Sequence, residues 1–395
     1  MNCDNDIRLA PDNQCTGCSA CASVCTHNAI VMFADRQGFM TPRRNKKLCT
    51  GCGLCEKVCP VINSPFLNNI AVNAFNVRTN DLSALVKSSS GGAFYELSRY
   101  VINKGGVVFG VKFNGIHVEH SYAETLEGIE LFMGSKYVQS EIGDTFQKAK
   151  SFLKEGRWVL FSGTPCQIAG LKHFLDRDYK NLLTVDLICH GVPSPGIWEK
   201  HISRLKKKLE ATDVKDIRFR RKGKDGNPCT NFFFGLSYLK EKQWHVYEES
   251  RADNLFFAYF TRHLFRSSCY ECPYRDIYTP EADITIGDAI ANSQYSEQNE
   301  MPSTVIVRST LGREVVESIK TNFRVFEPLD IDAVNAYYQN EKTNTDYERD
   351  IRPWRLSNLI GMRLPLDYCK WVWKHDKFHI VIKRKIKKLC RRNIK

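Results

Sequence analysis

The stretch WVLFSGTPCQIAGLKHFLDRDYKNLLTVDLIC, residues 158–189, decides the fold of the larger part of the chain. Trp158–Ser162 reads as a short apolar strand, QIAGLKHFL (167–175) as a helix and LLTVDLIC (182–189) as a buried strand. Strand, helix and strand with short connections predict a right-handed crossover and a parallel pair. Upstream the alternation continues, with a strand at 74–77, a loop KSSSGG (87–92) and a strand VVFGVKF (107–113). Between that loop and that strand, Ala93, Phe94, Leu97, Tyr100 and Val101 have the spacing of one buried helical face. Downstream, 201–210 read as helical, 216–250 as β-rich with a turn at KGKDGNP, and ADITIGD (282–288) as a strand ending in a glycine turn. The expected class is α+β / α/β.

The first 62 residues have a different texture. Nine of the sixteen cysteines fall there, and eight of them form two runs. Cys15, Cys18, Cys21 and Cys25 are spaced C-x2-C-x2-C-x3-C, and Cys49, Cys52, Cys55 and Cys59 repeat that spacing, with Pro60 after the last. Three thiolates two residues apart wrap one corner of an iron–sulfur cubane, while the fourth points away to serve a second cubane. The expected sets are therefore Cys15, Cys18, Cys21 and Cys59 for one 4Fe–4S cluster, and Cys49, Cys52, Cys55 and Cys25 for the other. Zinc sites favour paired C-x2-C units instead, and two intact runs of four disfavour them. The module resembles a bacterial dicluster ferredoxin, departing from it in carrying Thr26 where proline usually follows the fourth cysteine.

Composition narrows the setting. At 395 residues the chain exceeds what one core serves, and 43% hydrophobic with 26% charged residues excludes wholesale disorder. No apolar run approaches the eighteen or so residues of a membrane span, and the start has no signal-peptide pattern. A cytoplasmic location is expected, where clustered thiols are metal ligands or redox groups rather than disulfides. Of the net charge of +13, residues 374–395 supply +9 from ten Lys or Arg and one Asp. That tail sets Phe378, Val381, Ile382, Ile386 and Leu389 on one helical face, the composition of an interfacial helix. Peripheral contact with an anionic membrane is the expectation, beside the alternative of a solvated tail. Nucleic acid is not expected, because no groove-reading motif accompanies the charge.

A second constellation lies in the larger region: Cys166 in SGTPC, Cys189 in ICHG, and Cys269 and Cys272 in SCYEC. If strands 158–162 and 182–189 are parallel neighbours, Cys166 and Cys189 sit at or just past their carboxyl ends, the edge where open α/β sheets bind ligands. The C-x2-C pair would have to fold over that edge to complete four thiolates. Two core cysteines plus an unrelated redox or zinc pair is the competing reading.

SSSGGAF, GSKYVQS, VLFSGTPCQIAGLKHFL, VDLICHGVPSP, SCYECPY and ADITIGD, in that order, resemble the β subunit of coenzyme F-420 hydrogenase/dehydrogenase over about 70–340. The resemblance implies four regions: a dicluster domain at 1–62, the N-terminal part of the β-subunit region with its flavin loop at 70–165, its C-terminal part at 166–340, and the basic tail at 341–395. VINSPFLNN (61–69) would be the linker. It also implies FAD and a third 4Fe–4S cluster on Cys166, Cys189, Cys269 and Cys272, leaving Cys3, Cys229, Cys369 and Cys390 without a role. Many stand-alone bacterial members lie among polysaccharide biosynthesis genes, which implies a sugar or lipid-linked sugar substrate.

A flavin dinucleotide needs a cradle for its pyrophosphate, and KSSSGGAF offers Lys87, Ser88, Ser89, Ser90, Gly91 and Gly92 ahead of a helix. An ordinary serine N-cap is the bland reading of the same loop. No G-x-G-x-x-G follows a strand, so the standard dinucleotide fingerprint is absent. GSKYVQS offers Lys136 as a fixed positive charge near the flavin ring, with Ser135, Tyr137 and Ser140 as hydrogen-bonding groups. Asp288 is expected to cap a helix, orient a ribose hydroxyl or close a turn. His190 and His173 are candidate proton donors, although such histidines are more often structural, and no catalytic residue is assigned. Clusters move single electrons and a flavin moves two, so the expected function is an iron–sulfur flavoprotein oxidoreductase. It would couple a redox partner (a ferredoxin or a reductase) to an organic substrate. An electron carrier without its own substrate site is the alternative.

Overall fold

The computed structural model describes residues 7–63, 72–221, 233–249, 259, 265–290 and 301–343. The linker beyond residue 63, the KGKDGNP turn, the basic tail, and Cys3, Cys229, Cys369 and Cys390 lie outside the described residues.

The N-terminal module is slight. Helix α1 (Ala20–Val24) follows the first cysteines, β1 (Ile30–Ala34) and β2 (Met40–Arg44) make an antiparallel hairpin, and α2 (Leu54–Lys57) carries Cys55 of the second run. Asp35 closes the hairpin turn, its carboxylate accepting from the amides of Gln37 and Phe39.

The larger region opens with β3 (Asn73–Thr79), α3 (Leu82–Lys87), α4 (Ala93–Asn103), β4 (Val107–Asn114) and β5 (His117–Ala123). After a short α5 (Leu126–Ile129) come α6 (Thr145–Lys154), β6 (Val159–Gly163), α7 (Pro165–Leu175) and β7 (Leu182–Leu187). Helix α8 (Pro195–Leu209) leads to β8 (Asp213–Arg221), β9 (Phe233–Lys240) and β10 (Gln243–Glu249), an antiparallel sheet of three. The chain then returns through β11 (Ile284–Asp288), β12 (Ser303–Val307), α9 (Thr310–Ser318), β13 (Phe323–Pro328) and α10 (Ile331–Thr343).

Eight strands form one mixed sheet in the order β13-β3-β12-β11-β7-β6-β4-β5. Its centre, β4, β6, β7 and β11, is parallel, as 158–189 predicted for β6 and β7. Alternate residues of these strands face opposite ways. Val107, Phe109, Val159 and Phe161 pack with α6, α7 and Val58 of the module; Val108, Leu160, Leu183 and Val185 pack with α4 and α9. Each such side chain contributes about 1.5–3 kcal/mol on full burial, so this two-faced core dominates the stability of the region. The sheet draws β3 to β6 from 70–165 and β7 and β11 to β13 from 166–340. The boundary expected at 165/166 therefore runs through one sheet and separates no structural units. Trp198 of α8 anchors the three-stranded sheet, 1% exposed and donating from Nε1 to Ile116 O at 2.6 Å.

Candidate metal centres and cofactor cavity

CTGCSAC (15–21) and CTGCGLC (49–55) take up the same backbone conformation. Gly17 and Gly51 have φ of 70° and 73°, and Ser19 and Gly53 have 64° and 75°. Two left-handed residues per run wind the intervening thiols to one side, at a steric cost for Ser19 that glycine avoids. Cys15, Cys18, Cys21 and Cys59 line one cavity, together with Cys55. The last cysteine of the second run thus joins the first three of the first run. Burial pushes the Cys18 thiol up to about 12, and the neighbouring Cys15 and Cys59 push the same way. Cys21 and Cys59 are also raised, burial being the main cause. Buried thiols crowded like this become thiolates only against a cation. Cys25 accepts from the Ala29 amide at 3.3 Å, and Cys52 is exposed. Among the described residues, no three of Cys, His, Asp and Glu are drawn close enough to share a single metal ion; the cysteines surround a space instead.

The second constellation is assembled by the sheet edge. Cys166 lies in the first turn of α7, just past β6, and Cys189 lies two residues past β7. Gln167 sets the start of α7, its Oε1 accepting from the Thr164 amide at 3.0 Å while its Nε2 reaches Ser140. The segment 265–272 folds over that edge, held by a bridge between Pro193 and Phe265 and by Arg266 N donating to Val192 O at 3.1 Å. A side chain at Gly191, where φ is 130°, would collide with the Phe265 ring, so the close approach requires glycine. Cys166, Cys189, Cys269 and Cys272 consequently line one cavity with Arg266, Arg275 and Thr16. Burial pushes Cys166 up to about 11 and Cys272 up to about 12, and raises Cys189 and Cys269, with neighbouring thiols adding to it for Cys166, Cys189 and Cys272.

Beside this cavity lies a cleft in two connected parts of about 190 and about 390 Å³, within the size range of small-molecule sites. Ser88, Ser89, Ser90, Gly92 and Ser140 line the first part, Tyr137 the second, and Ser135, Lys136 and Asp288 both. Gly91 lies beneath them: a Cβ there would stand 2.3 Å from Val77 O and 2.4 Å from Ser303 N. The N-cap of α4 is Gly92, at φ 84° with no side-chain cap. The serine-cap reading is thereby overturned, and Gly92, Ala93 and Phe94 at the start of an eleven-residue helix line the cleft.

Several expected roles change. The serine hydroxyls are engaged within the protein: Ser88 donates to Ala84 O, Ser89 bonds Ser135, and Ser90 bonds Ser303, itself unforeseen. Lys87 pairs with Glu130 rather than lining the cleft. Lys136 Nζ donates to Leu131 O and Met133 O, each at 3.1 Å, and burial beside Arg218 pulls it down to about 7. Asp288 ends β11 and takes both carboxylate oxygens to Arg220 Nη1, at 2.7 and 2.8 Å. His173 lies off the cleft, buried on α7 at 3.6 Å from Glu281, whereas His190 lines the larger part with Tyr137, Tyr259 and Arg220. Gln139, Ser303 and Arg266 were not singled out; Gln139 sits inside GSKYVQS, and Arg266 is marked in sequence only by its nearness to Cys269.

Residues 14–63 match the family model described as 4Fe-4S dicluster domain. Residues 156–330 match the model for the C terminus of the coenzyme F420 hydrogenase/dehydrogenase beta subunit. Among solved structures, the chain is similar to one in the xenon-derivatized F420-reducing [NiFe] hydrogenase complex from Methanosarcina barkeri. The two are 17% identical, with 73% of this chain and 93% of that chain covered, at a TM-score of 0.43. The comparison with curated proteins found no match.

Proposed function

We propose that this chain, which carries a 4Fe–4S dicluster domain and a coenzyme F420 hydrogenase/dehydrogenase beta-subunit domain, is an iron–sulfur flavoprotein oxidoreductase. It would relay single electrons from a redox partner to a two-electron step on an organic substrate. One observation carries the reading: three cavities in a row share walls. Thr16 lies in both the module's cavity and the four-cysteine cavity. Thr164, Cys189, Gly191 and Val192 belong to both the four-cysteine cavity and the cleft.

Two of the three donor sets are gathered at cavities, which supports the groups implied. Cys15, Cys18, Cys21 and Cys59 would hold the inner cubane of the module, and Cys49, Cys52, Cys55 and Cys25 the outer one. Cys166, Cys189, Cys269 and Cys272 would hold a third, because four crowded, half-buried thiols need a polycationic core to ionise. For FAD, the uncapped start of α4 offers amides and a positive dipole end to a pyrophosphate. Gly91 lets the loop lie flat on Val77 and Ser303. A bound flavin would supply the exchange between one-electron and two-electron chemistry.

Around it, this chain's residues bind and position. Lys136, near neutrality, gains or gives up a proton at Nζ with little cost, so it answers a change of charge in the cleft rather than imposing one. Arg220 and Asp288 fix one wall of the larger part, and His190 and Tyr137 present polar atoms to a substrate there. A sugar or lipid-linked sugar is the substrate class we favour, with the basic tail as a contact to an anionic membrane surface. No helix among the described residues is long and apolar enough to cross a membrane.

Anaerobically purified protein should hold about twelve irons and an equal number of sulfides per chain, and should release FAD on denaturation. Iron without flavin would favour the electron carrier. Zinc in place of iron would end both readings.

A further inference from the structure

Among the buried points where the module meets the large region, two lie beside cysteines. Arg266 is 3% exposed and lines the four-cysteine cavity, three residues before Cys269. Its side chain reaches into the module. Nε donates to Cys15 O at 2.6 Å and Nη1 to Gln139 Oε1 at 3.0 Å, while Gln139 Nε2 donates to Thr16 O at 2.9 Å. Gly17 makes room for the guanidinium, since a Cβ there would stand 2.7 Å from Nη1. The Phe39 ring of the module covers it, 5.4 Å away. The second point is Gly170, one turn beyond Cys166 on α7, where a Cβ would meet Cys18 Cβ and Sγ at 2.9 Å.

No carboxylate pairs with Arg266 among the described residues. A buried guanidinium without a counter-charge is costly, and a backbone carbonyl and an amide do not neutralise it. On each side of it stand four cysteines, and a cubane held by four thiolates is net anionic. We propose that Arg266 is the positioning residue of the electron junction: it seats the module's inner cubane against the third cubane and supplies one cation shared by both. This rests on the function proposed above. One electron leaves one cubane and enters the other, with no bond made or broken. Because the guanidinium is fixed before the electron arrives, it favours the reduced, more negative form of either cubane. Gly170 keeps the two sets at backbone contact, with Cys166 and Gly170 on one rigid helix.

The test is a potentiometric titration of the full chain followed by electron paramagnetic resonance, with iron counted for every sample. Arg266→Met should lower the midpoint potentials of both cubanes and shrink the magnetic splitting between them in the fully reduced protein. Arg266→Lys keeps the charge but not the planar fork, so the potentials should recover and the splitting should not. Gly170→Ala should shrink the splitting and leave the potentials in place. Should Arg266→Met fail to load iron, the other two variants decide, and a wild-type splitting in both overturns the inference. So does Arg266→Met with full iron and unchanged potentials and splitting. A wild-type protein with only about eight irons per chain overturns instead the three-cubane function, a result read before any variant is made.

Discussion

The two families of cysteines are built in opposite ways. In the module, the thiols that share a cavity come from two copies of a short winding turn, with Gly17 and Ser19 matched by Gly51 and Gly53. In the large region, Cys166, Cys189, Cys269 and Cys272 are delivered by a helix start, a strand end and a returning loop. The module keeps almost no core of its own: Phe39 packs with Trp198 and Val58 with the α7 side of the sheet. The larger region has an apolar core on both faces of eight strands and does not need metal to define its shape. One site makes its fold, while the other is made by a fold.

Stripping iron under anaerobic conditions should separate the two. Residues 7–63 are expected to become protease-sensitive while the eight-stranded sheet keeps its far-ultraviolet dichroism, and simultaneous loss of both would break the comparison. Acid probes the larger region's own weakness. His120 and His201 are buried, and burial pulls each from 6.5 to about 4. Between those values the unfolded chain binds a proton that the folded chain does not. The contribution of each is complete above pH 6.5 and is lost on the way down to pH 4, by roughly 1.4 kcal/mol per pH unit. Denaturant titrations at pH 7 and pH 5 should show it, and His201→Phe, beside Trp198 and Phe234, should remove its share of the slope.

Gly91→Ala places a methyl group against backbone atoms that cannot step aside. It should lower stability by about 1–3 kcal/mol and flavin content more steeply, with iron unchanged; retained flavin would show that the loop is no cradle. At the small end, Lys57→Ala removes an exposed ion pair between module and α7, to Asp176. Exposed pairs contribute little, so the unfolding midpoint should stay put. A clear drop would mean that the docking depends on surface charge and not on Arg266.

How far the sequence could be read follows the same division. The spacing of 15–25 and 49–60 is local, so the crossing of Cys59 into the first set was legible without a structure. So was the β6–α7–β7 crossover, whose apolar runs and short loops leave few alternatives. The meeting of Cys166 and Cys189 with Cys269 and Cys272 was conditional, because it depends on Phe265 folding back against Gly191, 74 residues earlier in the chain. Lys136 was hard to read for a related reason: a lysine in a motif looks like a charge, and nothing in its neighbours says that the fold will bury it beside Arg218. The serine-rich loop does line the cleft, but its hydroxyls hold the loop together, and nothing in the local sequence says that Gly91 will lie on Val77 and Ser303. Arg266 is one of fifty-seven Lys and Arg residues, and what separates it from the others is its reach from the four-cysteine cavity to the Cys15 carbonyl.

Burial of Cys15 and Cys18 has a consequence for biogenesis. Each is 8% exposed once α7 and Arg266 cover the loop that bears them. Iron and sulfide delivered by a scaffold protein cannot reach those thiols through a closed interface. An inner cubane would therefore be installed before α7 and Arg266 cover that loop.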